Sequence, residues 1–361
     1  MTRTVPSLVV IGATGYTGRL VARQARDSRR PFVVAARKPD KLEELAAELG
    51  KLATPRVVDV TDRESLASLL IDGDVVINCA GPFVRLGTPV VEACVNAGAH
   101  YLDTTGEQVF MHDVYTQFHD PARERGITLV PGMAFEYALG DLAAALAAQE
   151  LTRPLRSVDV IYAWQGSVSS RGTRRTAVRI IGRRGWILDQ GELRLRAQGA
   201  ARRTVRISSG EPFQAVLFTS GEVLTLPRHL SVDSVHGWAV VGRAIATLAP
   251  LIAPILPFTA TLLRPVLRAI ATRRPDPEPA QREASRFTIR VEAQDQTGIR
   301  RAVELRGRDP YALTAAVAVM GARRTLEPGV PRGAIAPAQL VEPRSFLTAL
   351  APMGLRLVEN V

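Results

Sequence analysis

Strand-length apolar runs punctuate the first 150 residues, at 8–11, 31–36, 56–60, 74–78, 100–103 and 127–130. Between them, apolar positions recur with the period of a helix. The pattern predicts a helix opening after Gly15, one over 40–49 and a short one behind a Thr61-Asp62-Arg63-Glu64 capping box. Further helices are expected over 89–97, closed by Gly98, and around 141–150. Strand and helix alternate throughout, which predicts a doubly wound parallel sheet of the Rossmann type over 1–150.

Beyond Pro154 the rhythm changes. Residues 157–164 have strand character, and Gly172 opens a helix reaching about Arg184. Residues 287–293 and 299–305 alternate apolar with polar around Asp295-Gln296-Thr297-Gly298, which reads as a hairpin of a half-exposed antiparallel sheet. Residues 151–310 are therefore expected to form an α+β substrate or interaction domain, interrupted by an apolar helical insert at 244–272. A long helix over 311–326 and another over about 345–350 make up 311–361, expected to return to the first domain.

The first strand runs into Gly12-Ala13-Thr14-Gly15-Tyr16-Thr17-Gly18. Three glycines three apart, between a strand and a helix, allow a tight turn, approach of backbone to a pyrophosphate, and close helix–strand packing. The phosphates would meet Thr14, Gly15, Tyr16 and Thr17 at the helix N-terminus, where the dipole favours an anion. Behind the second strand stand Arg37 and Lys38, where an NAD site places an acidic residue, so the expected cofactor is NADP(H). Asp59 is expected near the adenine, at the end of the third strand. Cys79, Ala80, Gly81 and Pro82 end the fourth strand at the ligand-binding edge. Cys79 reads as a small buried residue, since nothing nearby would lower its pKa.

Composition narrows the picture. The chain has 361 residues, a net charge of +11 and two cysteines. It shows neither a disulfide framework nor metal-ligand spacing, and no metal is expected. The basic charge is almost all arginine, and 5% aromatic residues offer few stacking platforms, so nucleic acid is not the expected partner. Met1 runs almost directly into the first strand without a signal-peptide pattern, and a cytoplasmic location is expected.

The sequence resembles the saccharopine dehydrogenase-like oxidoreductases, in the branch that includes trans-acting enoyl reductases of actinobacterial lipid synthesis. The glycine turn carries the resemblance, with Asn78-Cys79-Ala80-Gly81-Pro82-Phe83 and the stretch from Ala97 to Glu107. Ser170-Arg171-Gly172-Thr173, Leu226-Pro227-Arg228-His229 and Gly307 to Ala315 follow in order. After the sixth strand many relatives carry Gly-Phe-Asp-Ser-x-Pro-x-Asp, whereas this chain reads Ala134-Phe135-Glu136-Tyr137-Ala138-Leu139-Gly140-Asp141. That departure falls in the loop expected to meet substrate.

No tyrosine is followed four residues later by lysine, which excludes the Tyr-x-x-x-Lys mechanism of short-chain dehydrogenases. Lys51 is the last lysine, so Schiff-base chemistry in the second domain is excluded too. Tyr137, Glu136 and Glu107 are the candidate catalytic groups, with His229 a weaker fourth. Arg171, Arg174 and Arg175, at the start of a helix, read either as an anion site or as a solvated basic face. The expected function is NADPH-dependent reduction of an enoyl or carbonyl group on a lipid-like or thioester-carried substrate. The rival is a non-catalytic NADP-binding sensor or scaffold.

Residues 244–263 form a run of twenty without a charge. Pro250, Pro254 and Pro257 argue against a spanning helix. Two readings stand: peripheral membrane contact through 244–274, with Arg264, Arg268, Arg273 and Arg274 meeting headgroups, or a helical pair buried in the protein or a homodimer.

Overall fold

The apolar runs of the first half become β1 (Leu8–Ile11), β2 (Phe32–Ala36), β3 (Ala53–Val57), β4 (Val75–Asn78), β5 (His100–Asp103) and β6 (Thr128–Val130). The computed structural model describes residues 4–359 except 167, 181, 208–209, 257–258, 260–264, 266, 268 and 272. With the short strand Gly333–Ala334 beside β6, these strands pair in parallel in the order β6-β5-β4-β1-β2-β3. This is the Rossmann order, which reverses between β1 and β4. Val9, Val10, Ile11, Val34, Val76, Ile77 and Leu102 are buried. Each such side chain contributes about 1.5–3 kcal/mol by leaving water.

The helices of this half are α1 (Tyr16–Arg26), α2 (Pro39–Leu49), α3 (Arg63–Leu69), α4 (Phe83–Ala97), α5 (Gln108–Gln117), α6 (His119–Glu124) and α7 (Phe135–Ala147). Several differ from expectation. β3 lies three residues earlier than 56–60, because Pro55 is tolerated on this edge strand and Val57 faces outward. Asp59 therefore stands in the loop beyond β3. Asp62, not Thr61, caps α3, its carboxylate accepting from the Glu64 N–H at 3.0 Å. α4 begins at Phe83 rather than Pro89, which sits inside it, and Gly98 closes it in the left-handed conformation at φ 78°. α5 and α6 were not expected. α7 starts at Phe135 instead of about 141, so most of the divergent stretch 134–141 is helix rather than loop.

The chain divides into two units, Met1–Ala138 with Tyr311–Val341, and Leu139–Pro310 with Glu342–Val361. The tail is thus shared: 311–341, containing most of the helix Pro310–Arg324, belongs with the first unit, and 342–361 with the second.

The second unit is built on a mixed sheet. Its strands are β7 (Leu155–Gln165), β8 (Arg184–Asp189), β9 (Glu192–Ala197), β10 (Arg202–Val205), β11 (Phe213–Phe218), β12 (Val232–Val241), β13 (Arg286–Asp295) and β14 (Arg300–Arg308). The main path is β10-β11-β12-β7-β13-β14, continued by Arg356–Glu359, while β8 pairs with β12 and β9. β12 and β7 run parallel, and the expected hairpin is present as β13 and β14. Here α8 (Arg171–Ile180) ends before Arg184, which begins β8; α9 (Glu222–Thr225) precedes β12 and α10 (Arg243–Ile252) follows it.

Charge lies across this sheet in paired form. The Trp238 indole N–H donates to Asp159 at 2.7 Å, and the Arg203 guanidinium stacks over Trp238 at 5.4 Å while pairing with Asp159 and Glu292. Arg290 bonds Glu292 and the fully buried Glu304 at 2.8 Å each, and Arg306 meets the other Glu304 oxygen at 3.1 Å. Removing one partner leaves a buried charge poorly compensated. Arg290→Met should therefore cost roughly 2–4 kcal/mol of stability. A urea-unfolding midpoint unchanged from the parent protein would contradict this account of the sheet.

Candidate functional site

The glycine turn is held by contacts that leave no room for side chains. Gly12 adopts φ +76°, and a Cβ there would lie 2.8 Å from the Ala80 nitrogen and 2.9 Å from the Cys79 carbonyl carbon. A Cβ on Gly18 would fall 2.1 Å from the Gly12 oxygen. The first glycine thus lets β1 and β4 approach at the switch point, and the third lets α1 lie against the turn. Gly15 is the N-cap of α1, whose first turn carries no acidic residue. The Gly15 N–H closes the turn onto the Gly12 carbonyl at 2.9 Å. The N–H groups of the first helical turn, from Tyr16 and Thr17 on, have no carbonyl one turn back to meet, so the loop Thr14–Gly15 and the start of α1 form a cradle that fits a pyrophosphate.

Arg37 and Lys38 are exposed directly after β2. Asp59 lies within electrostatic range of Arg37, but its Oδ1 accepts from the Thr61 N–H at 3.0 Å and hydroxyl at 2.7 Å. These bonds hold its carboxyl below the usual carboxylate range, with Arg37 a smaller cause. Cys79 is half-buried, and desolvation pushes its thiol up to about 12, which agrees with a packing role.

Two buried polar residues that the sequence reading passed over shape the next loops. The side-chain Oδ1 of Asn78 accepts from the Ala80 N–H at 2.9 Å, and Asp103 Oδ1 accepts from the Thr105 N–H at 2.8 Å and the Gly132 N–H at 2.9 Å. Both end buried strands, where an interior polar side chain needs backbone partners; that position was the available signal. Burial pushes the Asp103 carboxyl up to about 7 against these bonds.

The three catalytic candidates converge around Gly106. Glu107 is buried and accepts from the Phe83 and Val84 N–H groups at 2.9 and 3.3 Å, so its carboxylate caps α4 and fixes the Gly81-Pro82 turn. Tyr137 is buried, and its hydroxyl donates to the Gly106 carbonyl at 3.2 Å. Glu136 Oε1 lies 3.6 Å from where a Gly106 Cβ would be. Desolvation raises the half-buried Glu136 carboxyl to about 7, opposed by a bond from its own N–H. A carboxyl titrating there is matched to proton transfer at neutral pH.

In the second unit, the start of α8, which reads from the sequence either as an anion site or as a solvated basic face, is engaged within the chain at Arg171 and Arg174, while Arg175 is exposed. The Arg171 N–H donates to Asp276 at 2.6 Å, and the Arg174 guanidinium donates to the carbonyls of Ser169, Ala271, Arg274 and Pro275. A carboxylate of the chain itself thus occupies the start of α8. His229 Nε2 meets buried Asp141 at 2.9 Å. The Tyr162 hydroxyl donates to Glu222, whose carboxyl burial pushes up to about 8, a pair the sequence did not reveal. Among the described residues no group of His, Cys, Asp and Glu could hold a metal ion.

The saccharopine dehydrogenase NADP-binding domain matches residues 8–130. That part of the chain is an NADP-binding domain of this kind, and its cofactor is NADP(H). Over 169 residues the chain is 31% identical to the saccharopine dehydrogenase-like oxidoreductase of Bos taurus, covering 42% of this chain and 39% of that protein. It is 33% identical over 140 residues to the trans-acting enoyl reductase of Mycobacterium ulcerans, covering 37% of this chain and 34% of the other. The chain thus spans less than half the length of these relatives. Beyond the matched region the likeness is one of fold: apo saccharopine dehydrogenase (L-Glu forming) from Saccharomyces cerevisiae aligns with a TM-score of 0.63 at 14% identity, covering 99% of this chain and 100% of that one.

Two expectations follow. Changing Arg37→Glu together with Lys38→Ser should weaken NADPH binding tens of fold while leaving NADH nearly unaffected, since a charge-assisted contact contributes about 1.5–3 kcal/mol. Equal affinity of the parent protein for both cofactors, read by calorimetry, would contradict it. The second concerns pH. The folded-state pKa of Asp103 is raised from 3.8 to about 7, so its contribution to stability is complete below about pH 4 and is lost as pH rises through about 7. Asp103→Asn should therefore show a smaller fall in melting temperature between pH 4 and 8 than the parent; an identical fall would remove Asp103 from the account.

Proposed function

We propose that the protein is an NADPH-dependent oxidoreductase that reduces an enoyl or carbonyl group on a lipid-like or thioester-carried substrate. What supports the reading is the gathering of Glu107, Glu136 and Tyr137 at the carboxyl edge of an NADP-binding sheet, with one carboxyl raised into the neutral range. The 33% identity over 140 residues to a trans-acting enoyl reductase supports an enoyl group as the acceptor.

Bound NADPH supplies a hydride; the chain must orient the acceptor and protonate the developing anion. Glu136 is the proton donor in this reading. At pH 7 about half of a carboxyl titrating near 7 carries the proton, and the protonated form is the acid the reduction needs. Glu107 and Tyr137 are positioning residues: the first holds the turn after β4, the second the backbone at Gly106. The chain's lack of lysine after Lys51 is no obstacle, since no Schiff base is involved.

The test is NADPH oxidation with a panel of 2-enoyl thioesters and keto-lipids. Glu136→Gln should lower kcat by about 10²–10⁴-fold without changing NADPH affinity, and the parent kcat should fall above pH 7 as the acid is lost. Undiminished turnover in Glu136→Gln, or a kcat that rises through pH 7, would remove Glu136 as the acid. Tight NADPH binding with no turnover of any member would favour the sensor reading.

A further inference from the structure

The apolar stretch after β12 has no part in this chemistry. In α10 and the turn that follows, the inward positions are small and the outward ones large. Ala246 and Ala253 are buried, whereas Ile245, Leu248, Leu251, Ile252 and Ile255 are 59%, 52%, 69%, 46% and 59% exposed. At 3.6 residues per turn these five share an arc of about 120°, opposite the alanines. The helix is seated by its small side: a Cβ on Gly199, in the turn between β9 and β10, would lie 3.2 Å from the Ala249 Cβ. Single exposed aliphatics need no explanation, but five on one face do.

From Ser234 to Pro275 every fully charged residue is an arginine. Arg243 is exposed at the first position of α10, and Arg202, also exposed, donates to the Thr247 hydroxyl at 3.3 Å. Between Asp233 and Asp276 the sequence has no acidic residue. Arg273 and Arg274 are exposed; Pro257, Arg264 and Arg268 lie outside the described residues. No described helix is long and apolar enough to cross a membrane.

We propose that α10, with Arg202 and Arg243 beside it, is a docking face for an anionic membrane surface. The five aliphatic side chains enter the boundary between headgroups and acyl chains, and the guanidinium groups meet the lipid anions. A second copy of the chain is the less suitable occupant, because a two-fold contact across this face would bring its arginines against their own images with no acidic residue on α10 to offset them. A lipid substrate would then be met at the membrane, but the docking face stands without that assumption.

Co-sedimentation with phosphatidylcholine vesicles, with and without phosphatidylglycerol, tests this at low salt. The protein should pellet with the mixed vesicles only, and added salt should release it. The double variant Leu251→Ser, Ile252→Ser should partition at least about tenfold more weakly while binding NADPH as the parent does. Leu251→Glu, at the most exposed position, serves as the second variant should the first misfold. Absence of pelleting, equal pelleting with pure phosphatidylcholine, or undiminished pelleting of the folded variants would overturn the proposal. So would a dimer, seen by light scattering, that the same variants disperse without any vesicle binding.

Discussion

The first unit depends on a backbone contact with no space for a methyl group. Where Gly12 passes Cys79 and Ala80, the ends of β1 and β4 lie close enough that a Cβ would meet the main chain at 2.8 Å. The main chain cannot yield there as a flexible side chain could, and φ is +76° besides, so the position is doubly closed to L side chains. This contact fixes the turn before α1 relative to the turn after β4. The turn that fits a dinucleotide and the first wall of the candidate site are therefore set by one constraint.

From that point the site is assembled by buried polar groups acting on backbone. Asn78 holds Ala80, Asp103 holds Thr105 and Gly132, and Glu107 holds the start of α4. Each satisfies N–H groups that would otherwise be stranded away from water, at a cost of about 1–3 kcal/mol apiece. A consequence is that three parallel strands deliver their loops to Gly106 in a defined arrangement. Glu136 then arrives on the first turn of α7, in surroundings that favour its neutral form.

Much of the first unit was legible because its signals are local. The glycine spacing, the buried strand runs and the left-handed Gly98 each follow from a few neighbouring residues. What was missed depended on tertiary context: Pro89 is carried inside α4, whose N-terminus is capped by Glu107 from a distant loop. The stretch 134–141 read as loop because its helical start resembles a family loop in sequence position, yet its Phe135 N–H is met by the Thr314 hydroxyl. In the second unit, the arginines at α8 read equally as an anion site or as a solvated face, because the partners of Arg171 and Arg174, Asp276 and four carbonyls, lie about a hundred residues away or in the preceding turn. Alternation was strong enough to reveal the β13–β14 hairpin, but not the mixed sheet around it.

A crystal structure of the NADPH complex tests the central claim most directly. The account predicts the pyrophosphate at the N-terminus of α1, the 2′-phosphate beside Arg37 and Lys38, and the nicotinamide ring on the Gly106 side of the sheet, facing Glu136. A dinucleotide bound away from the β1/β4 switch point, or a nicotinamide remote from Gly106 and Glu136, would contradict it.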